Sequence, residues 1–358
     1  MSTFLKGINK SPEITYRWLR VNDTTVERDE FPEVKKTVEV QTSNTESVKI
    51  EEVKKESWNE GNTQYLYSSA PMGAEFRSYV EDNVEKEVIY TVGTSSDTPI
   101  IYEYYLGEET ILEKEKIIIE EDVKATILFI YRGNGSHLGI REVIAKKGSS
   151  SKVFKVNLLR DASLTVTEMI VQEEEGAEVE VISINIGKEN TVDNINVSLG
   201  DKATGDITGL YLSSGCDKID MNYTVVLKGL ESRSKIDVKG ALSDRADKVF
   251  RGTIDFRRGA KGAKGAQREE IMLLSDEVRN VAMPLILCGE DDVMGEHAAS
   301  CGRIDENKIF YLMSRGISME ESKKIIVEGT FYPILDKIPD KNLVKEISEI
   351  MQGRLAKI

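Results

Sequence analysis

Eight short segments rich in Val, Ile, Thr and Tyr recur along the middle of the chain at nearly constant spacing, and this repeat restricts the available folds more than any other feature. They begin at Val153 (VFKVNLL), Leu164 (LTVTEMIV), Glu178 (EVEVISIN), Thr191 (TVDNINVSL), Asp206 (DITGLYL), Ile219 (IDMNYTVVL), Ser234 (SKIDVKGAL) and Val249 (VFRGTIDF). Consecutive starts lie 11, 14, 13, 15, 13, 15 and 15 residues apart. Such residues suit a pleated, half-buried surface, and Gly, Asp, Asn and Ser punctuate the segments. Helical repeats need a longer unit, and the helical stretch of a βαβ unit is missing between the strands. Two all-β solutions remain: a parallel β-helix with two strands per coil, and a sandwich or up-and-down barrel. Uniform segments and the scarcity of Asn-Gly and Asp-Gly hairpin turns favour the first, but spacing alone leaves the two at even weight.

The β pattern starts near residue 98, which divides the chain into an N-terminal region (1–97), a β core (98–303) and a helical C-terminal region (304–358). The first ten residues read as polar and frayed. Ser11-Pro12-Glu13 has the form of an N-cap, a first-turn proline and an acidic first turn, which predicts a short helix to about Arg20 with Ile14 and Trp18 on one face. Residues 23–63 are strongly charged and read as extended or loosely ordered. After residue 270 the period changes. Asp305 is placed to cap a helix carrying Ile309, Phe310, Leu312 and Met313, which stops near Gly316. Ser318 and Glu321 form a capping box, and Pro339-Asp340 opens a helix with Leu343, Val344, Ile347, Ile350 and Met351 on one stripe.

Composition limits function. Lys+Arg number 48 against 62 Asp+Glu, a formal charge of −14, which repels phosphate backbones and anionic lipid. No apolar run approaches a membrane span, and the first residues lack a signal-peptide core. A reducing cytoplasm is therefore expected, with three scattered cysteines too few for a disulfide framework. With two histidines, any His-based chemistry must use His137 or His297. There is no phosphate-binding G-x-x-x-x-G-K-[ST], no G-x-S-x-G, no H-E-x-x-H and no C-x-x-C. A non-enzymatic chain that uses no ATP of its own is the expectation.

The densest polar cluster is CGEDDVMGEHAASCGRID, from Cys288 to Asp305. It gathers Cys288, Glu296, His297 and Cys301, and thiolate with imidazole suits iron, zinc or copper(I). The spacing matches no standard zinc module, so a buried thiol pair in a strand–turn–strand, with His297 bonded to a carbonyl, competes with a ligand set. RRGAKGAKGAQR (257–268) reads as a solvated turn, Cys216 as a small buried hydrophobe and His137 as a turn residue.

One string is specific. P-L-I-L at 284–287, D-D-V at 291–293, E-H-A at 296–298, G-R-I-D at 302–305 and F-Y-L-x-S-R-G-I at 310–317 together resemble the SufB/SufD family of iron–sulfur cluster assembly proteins. DITGLYLSSGCDKIDMNY and GALSDRADKVFRGTIDF are similar to the family's core. The resemblance implies a right-handed parallel β-helix, pairing with a SufB/SufD-type protomer, and a SufC-type ATPase docked on the C-terminal helices, in the region of Phe310, Tyr311, Leu312, Arg315 and Gly316. It implies a transient iron–sulfur cluster, not tightly held, at the protomer interface, with His297 and Glu296 on the family's E-H motif. The chain also departs from the family. Val278 stands where SufB-type proteins carry their interface cysteine, and Asn222 and Leu227 where histidines would fall. Cys288 and Cys301 flank His297 as substitute thiols. A purely structural partner and a β-helix carbohydrate-active enzyme are the alternatives.

Overall fold

The computed structural model describes residues 3–13, 21–28, 39–55, 72–160, 163–187 and 189–356. An antiparallel pair, β1 (Thr3–Ile8) and β2 (Thr24–Arg28), comes first, followed by β3 (Glu39–Ser43), β4 (Val48–Lys54) and helix α1 (Ala74–Asn83). The solenoid begins with β5 (Lys86–Val92), β6 (Ile100–Leu106), β7 (Thr110–Ile119), β8 (Lys124–Gly133), β9 (Ser136–Ala145), β10 (Ser150–Leu159), β11 (Ser163–Glu173) and β12 (Glu178–Asn185). It continues with β13 (Glu189–Leu199), β14 (Thr204–Ser213), β15 (Lys218–Leu227), β16 (Arg233–Leu242), β17 (Asp247–Phe256), β18 (Lys264–Leu273), β19 (Arg279–Cys288) and β20 (Met294–Arg303). Helices α2 (Glu306–Ser314), α3 (Met319–Leu335) and α4 (Lys341–Leu355) follow.

Even-numbered strands from β6 build one sheet and odd-numbered strands from β5 the other, and every ladder among them is parallel. This parallel pairing decides for the solenoid over the sandwich. Two strands make one coil, so Ser150 lies beside Glu178 and Thr191 beside Ile219, each 28 residues on. β3 and β4 add antiparallel to β6 and β5 and close the N-terminal end.

Because each ladder is in register, residues stacked along a sheet share a face. In β8, Ile127, Phe129 and Tyr131 point into the lumen while Leu128 and Ile130 point outward. Burial on both faces is why strands such as ATILFIY read as near-continuous apolar runs. α3 and α4 cover the outer face of the even sheet, seating Val327, Phe331, Ile334, Leu343, Ile347 and Met351 on Leu128, Ile130, Phe154, Ile182 and Leu210. Ion pairs from Arg132 to Glu346 and from Arg354 to Asp217, both 2.6 Å, fix α4 to the strands. On the odd sheet, Leu5, Ile8, Phe76 and Val80 cover Leu138, Ile140, Leu164 and Val166.

The expected caps are present: Asp305, Ser318 and Asp340 each accept a backbone N–H at the start of their helices. The N-terminal expectation needs correction. Residues 3–8 form a strand with Leu5 and Ile8 fully buried, because the odd sheet's apolar outer face requires a cover. The stretch read as extended contains β2, β3 and β4, and residues 14–20, where a helix was expected, lie outside the described residues. Gly240 shows how tightly the lumen is filled, since a Cβ there would fall 2.0 Å from the Tyr211 ring.

Phe331→Ala should destabilise the protein by about 3–5 kcal/mol, because the α3 contact leaves a cavity against the even sheet. Chemical denaturation checks this value. Glu173 gives a second, pH-dependent expectation. It is buried with no cationic partner, and burial, with Asp206 and Glu178 nearby, holds its carboxyl well above the usual carboxylate range. The folded state thus favours the protonated form, and its stability falls as pH rises past the unfolded carboxyl's pKa. Glu173→Gln should therefore stabilise the fold at neutral pH and have little effect near pH 4, as measured by denaturation at both.

Candidate functional site

The lumen is not purely apolar. Glu113 and Glu115 on β7 meet His137 and Arg141 on the next coil, with His137 Nε2 2.7 Å from Glu113 and Arg141 Nε 2.7 Å from Glu115. Tyr104 donates its hydroxyl to Glu115 at 2.9 Å, and Tyr131 to Glu113 at 3.0 Å. Burial opposes charge here, but the His137 and Arg141 contacts overcome it at Glu113, whose carboxyl lies below its ordinary range. At Glu115 burial prevails and the carboxyl is pushed up, and burial likewise pushes the His137 imidazole down. Farther along, Lys155 pairs with Asp193 at 2.6 Å, and Asp193 also accepts from Ser183 and Tyr223. Lys248 then pairs with Glu269, both fully within the lumen. His137 is therefore a core strand residue stacked on Tyr131 at 4.0 Å, not the turn residue its Gly-Asn-Gly neighbours suggest.

This polar column ends at the last coil. At the other end, beneath β3 and β4, lies a cavity of about 300 Å³ lined by Tyr90, Tyr102 and Tyr104. At the C-terminal end, among the described residues, no strand pairs with the outer edge of β19 or β20, and every residue of β20 is exposed. Register assigns its faces. His297 lies beside Gln267 and Cys301 beside Ile271, whose side chains are buried in the lumen, so His297 and Cys301 stand on the lumen side. Glu296 lies beside Ala266 and stands on the outer side. Cys288 closes β19 beside Phe256, also on the lumen side.

The sequence-predicted ligands thus share one coil without converging. Four residues of extended strand, about 13 Å, separate His297 from Cys301. Cys301 Sγ accepts from Asn280 at 3.0 Å, whereas Cys288 lies eight residues beyond Asn280, about 26 Å along β19. Among the described residues, no three His, Cys, Asp or Glu side chains are grouped to hold a metal ion. Both cysteines are exposed, which removes the buried thiol pair from consideration. Cys216 is exposed as well, in a turn where Arg245 donates to its sulfur at 3.4 Å, and is not a core hydrophobe. Residues 257–263 form the turn between β17 and β18, with Ala260 and Ala263 buried, but 264–268, also read as turn, belong to β18.

Beside this end, α2 buries none of its residues and exposes Phe310, Tyr311 and Met313; Leu312 is half-buried and Arg315 lies over the Tyr311 ring. Gly316 takes a positive φ of 86° where α2 stops. Met319 and Tyr332 of α3 are exposed as well. Among the described residues, no helix is long and apolar enough to cross a membrane. The buried column escaped sequence reading because its members are far apart in the chain. Its signal emerges only when the sequence is wrapped on the coil period, which stacks Glu115 on Arg141.

The architecture is a two-sheet parallel solenoid whose apolar lumen carries a column of buried ion pairs, with an uncovered last coil followed by the exposed helix α2. The profile described as "SUF system FeS cluster assembly, SufBD core domain" matches residues 105–330, well over half of the chain. The iron–sulfur cluster assembly protein SufD of Bacillus subtilis is 30% identical over 156 residues, 44% of this chain and 36% of that protein. Its SufB is 27% identical over 257 residues, 69% and 55% of the two chains. A SufBD family protein of Staphylococcus saprophyticus is 26% identical over 252 residues, 68% and 54%. The chain belongs to the SufB/SufD family of iron–sulfur cluster assembly proteins. It spans about half the length of the curated relatives it matches, or less.

Arg141→Met should destabilise the fold by about 3–5 kcal/mol, since Glu113 and Glu115 would lose a buried counter-charge. Denaturation of the variant beside Arg141→Met/Glu115→Gln checks the cause, with the double variant recovering part of the loss.

Proposed function

We propose that this chain is a subunit of a SUF-type assembly complex and that a nascent iron–sulfur cluster, its cargo, forms where the open end of its solenoid meets a second SufB/SufD-type protomer. The observation that carries this reading is β20, a fully exposed edge strand presenting His297 and a thiol toward an unclosed lumen. An unpaired edge is a template for strand addition. A twofold pairing here would bring two copies of an incomplete ligand set together, which suits residues that do not converge within one chain. Glu296, on the outer side, is then a ligand only from across that interface. Three exposed free cysteines suit a reducing compartment such as the cytoplasm.

ATP would be used by a SufC-type ATPase docked on α2, where Phe310, Tyr311 and Met313 lie uncovered. Its motion would reach β20 directly, because only Ile304 and Asp305 separate that strand from α2. The runner-up reading, a partner that supports a cluster without binding it, is favoured by one observation: Val278, in place of the family's interface cysteine, packs on the lumen core.

Anaerobic reconstitution with iron and sulfide should yield bound iron, acid-labile sulfide and thiolate-to-iron absorption, and His297→Ala should lose most of that yield. Equal yield from the variant contradicts the site, and no cluster in the unaltered chain favours the runner-up. Phe310→Ser with Tyr311→Ser should weaken binding of a SufC-type ATPase at least tenfold in a calorimetric titration while leaving the fold intact, since α2 buries neither side chain. Unchanged affinity contradicts the docking surface.

A further inference from the structure

The two cysteines at the open end hold their sulfurs differently, and the difference selects one of them. Cys288 Sγ donates to the carbonyl of Glu290 at 3.1 Å, so its proton is engaged. Cys301 Sγ instead accepts, from Nδ2 of Asn280 at 3.0 Å. Lys248 fixes the orientation of that amide. Its Nζ lies 3.0 Å from Asn280 Oδ1, and an ammonium has only protons to give, so the amide's oxygen must face Lys248 and its N–H the sulfur. Lys248 is itself held, fully buried, by its ion pair with Glu269. A fixed N–H aimed at a cysteine sulfur is the kind of outer-shell contact that orients a thiolate ligand and tunes its metal.

A second observation lies just below. Oε1 of Gln267 is buried and has no hydrogen-bond partner. Gln267 is the ladder neighbour of His297 on the lumen face. Its side chain spans the lumen to the opposite sheet, where a Cβ on Gly252 would fall 2.3 Å from its amide nitrogen. The hydroxyl of Tyr211 is likewise buried without a partner. Tyr211 stands in the ladder column that runs through Gly240 and Ile271 to Cys301, so the lumen beneath the oriented sulfur keeps an unused polar atom, whereas Gln267 keeps one beneath His297, four residues along.

We propose that Cys301, and not Cys288, is the thiol that takes a thiophilic divalent metal at this end, with Asn280 and Lys248 as the positioning residues that present its sulfur. The assignment rests on the reading that the open end handles iron and sulfide, and it names the ligand within that site. The metal binds through a sulfur lone pair with loss of the thiol proton to solvent, and no oxidation or reduction is involved.

Cobalt(II) alone is the probe, because its sulfur-to-metal charge-transfer absorption reports thiolate ligation without sulfide, ATPase or partner. In the full chain, titrated anaerobically, this absorption should form, vanish in Cys301→Ser and persist in Cys288→Ser. Asn280→Asp keeps an acceptor for Lys248 but removes the N–H that faces the sulfur, and should weaken cobalt binding at least tenfold with an unchanged circular dichroism spectrum. Absorption that survives Cys301→Ser, that disappears in Cys288→Ser, or that never forms in the unaltered chain overturns the assignment. Undiminished affinity in Asn280→Asp overturns the positioning role. A Cys301-dependent band in a chain that assembles no cluster leaves the assignment standing and removes the iron–sulfur reading instead.

Discussion

In-register stacking of one coil on the next is the constraint on which the rest of this structure depends. A parallel ladder places each residue beside the one about 28 positions away and on the same face. An inward charge therefore has a small set of neighbours from which to find a partner: Glu115 finds Arg141 along its ladder, while Asp193 finds Lys155 and Glu269 finds Lys248 on the facing sheet across the lumen. Desolvating such pairs costs several kcal/mol per ion, so they do not explain stability; they restrict which register the coils can adopt. Glu173, left without a cationic partner, shows the cost when a column offers no counter-charge.

The same stacking rule makes the last coil different from all the others. Interior coils are covered above and below, and the outer faces are covered by α3 and α4 on one side and by β1 and α1 on the other. The coil of β19 and β20 has a neighbour on one side only, and β20 has none of the helical cover. Residues that would be core elsewhere in the solenoid are accessible here, and they include a histidine and two cysteines. These ligand-type side chains are accessible because the fold leaves this coil uncovered, and Lys248, buried just beneath, orients the Asn280 amide that donates to Cys301.

Much of this was legible in the sequence. The spacing of VFKVNLL, LTVTEMIV and their successors carries the coil, and Asp305, Ser318 and Asp340 mark the helix starts by capping chemistry that depends on local residues alone. The terminal polar cluster was legible too, from Cys288 to Cys301. What the sequence withheld was long-range. Nothing local to His137 reveals that Glu113 lies across a ladder from it, so its glycine-rich surroundings read as a turn. Leu5 and Ile8 look like a frayed end until the apolar outer face of β9 and β11 is in view. Cys301 gains its distinction from Asn280 and Lys248, 21 and 53 residues away.

The central claim is that the uncovered last coil is the working end of the molecule. Amide hydrogen exchange across residues 279–303, compared between the chain alone and the iron- and sulfide-loaded assembly with a SufC-type ATPase, tests it most directly. The account predicts marked slowing in β20 on assembly, with added protection in α2 and little change in the interior coils. Exchange in β20 that stays as fast as in the isolated chain, while protection appears elsewhere on the solenoid, would contradict it.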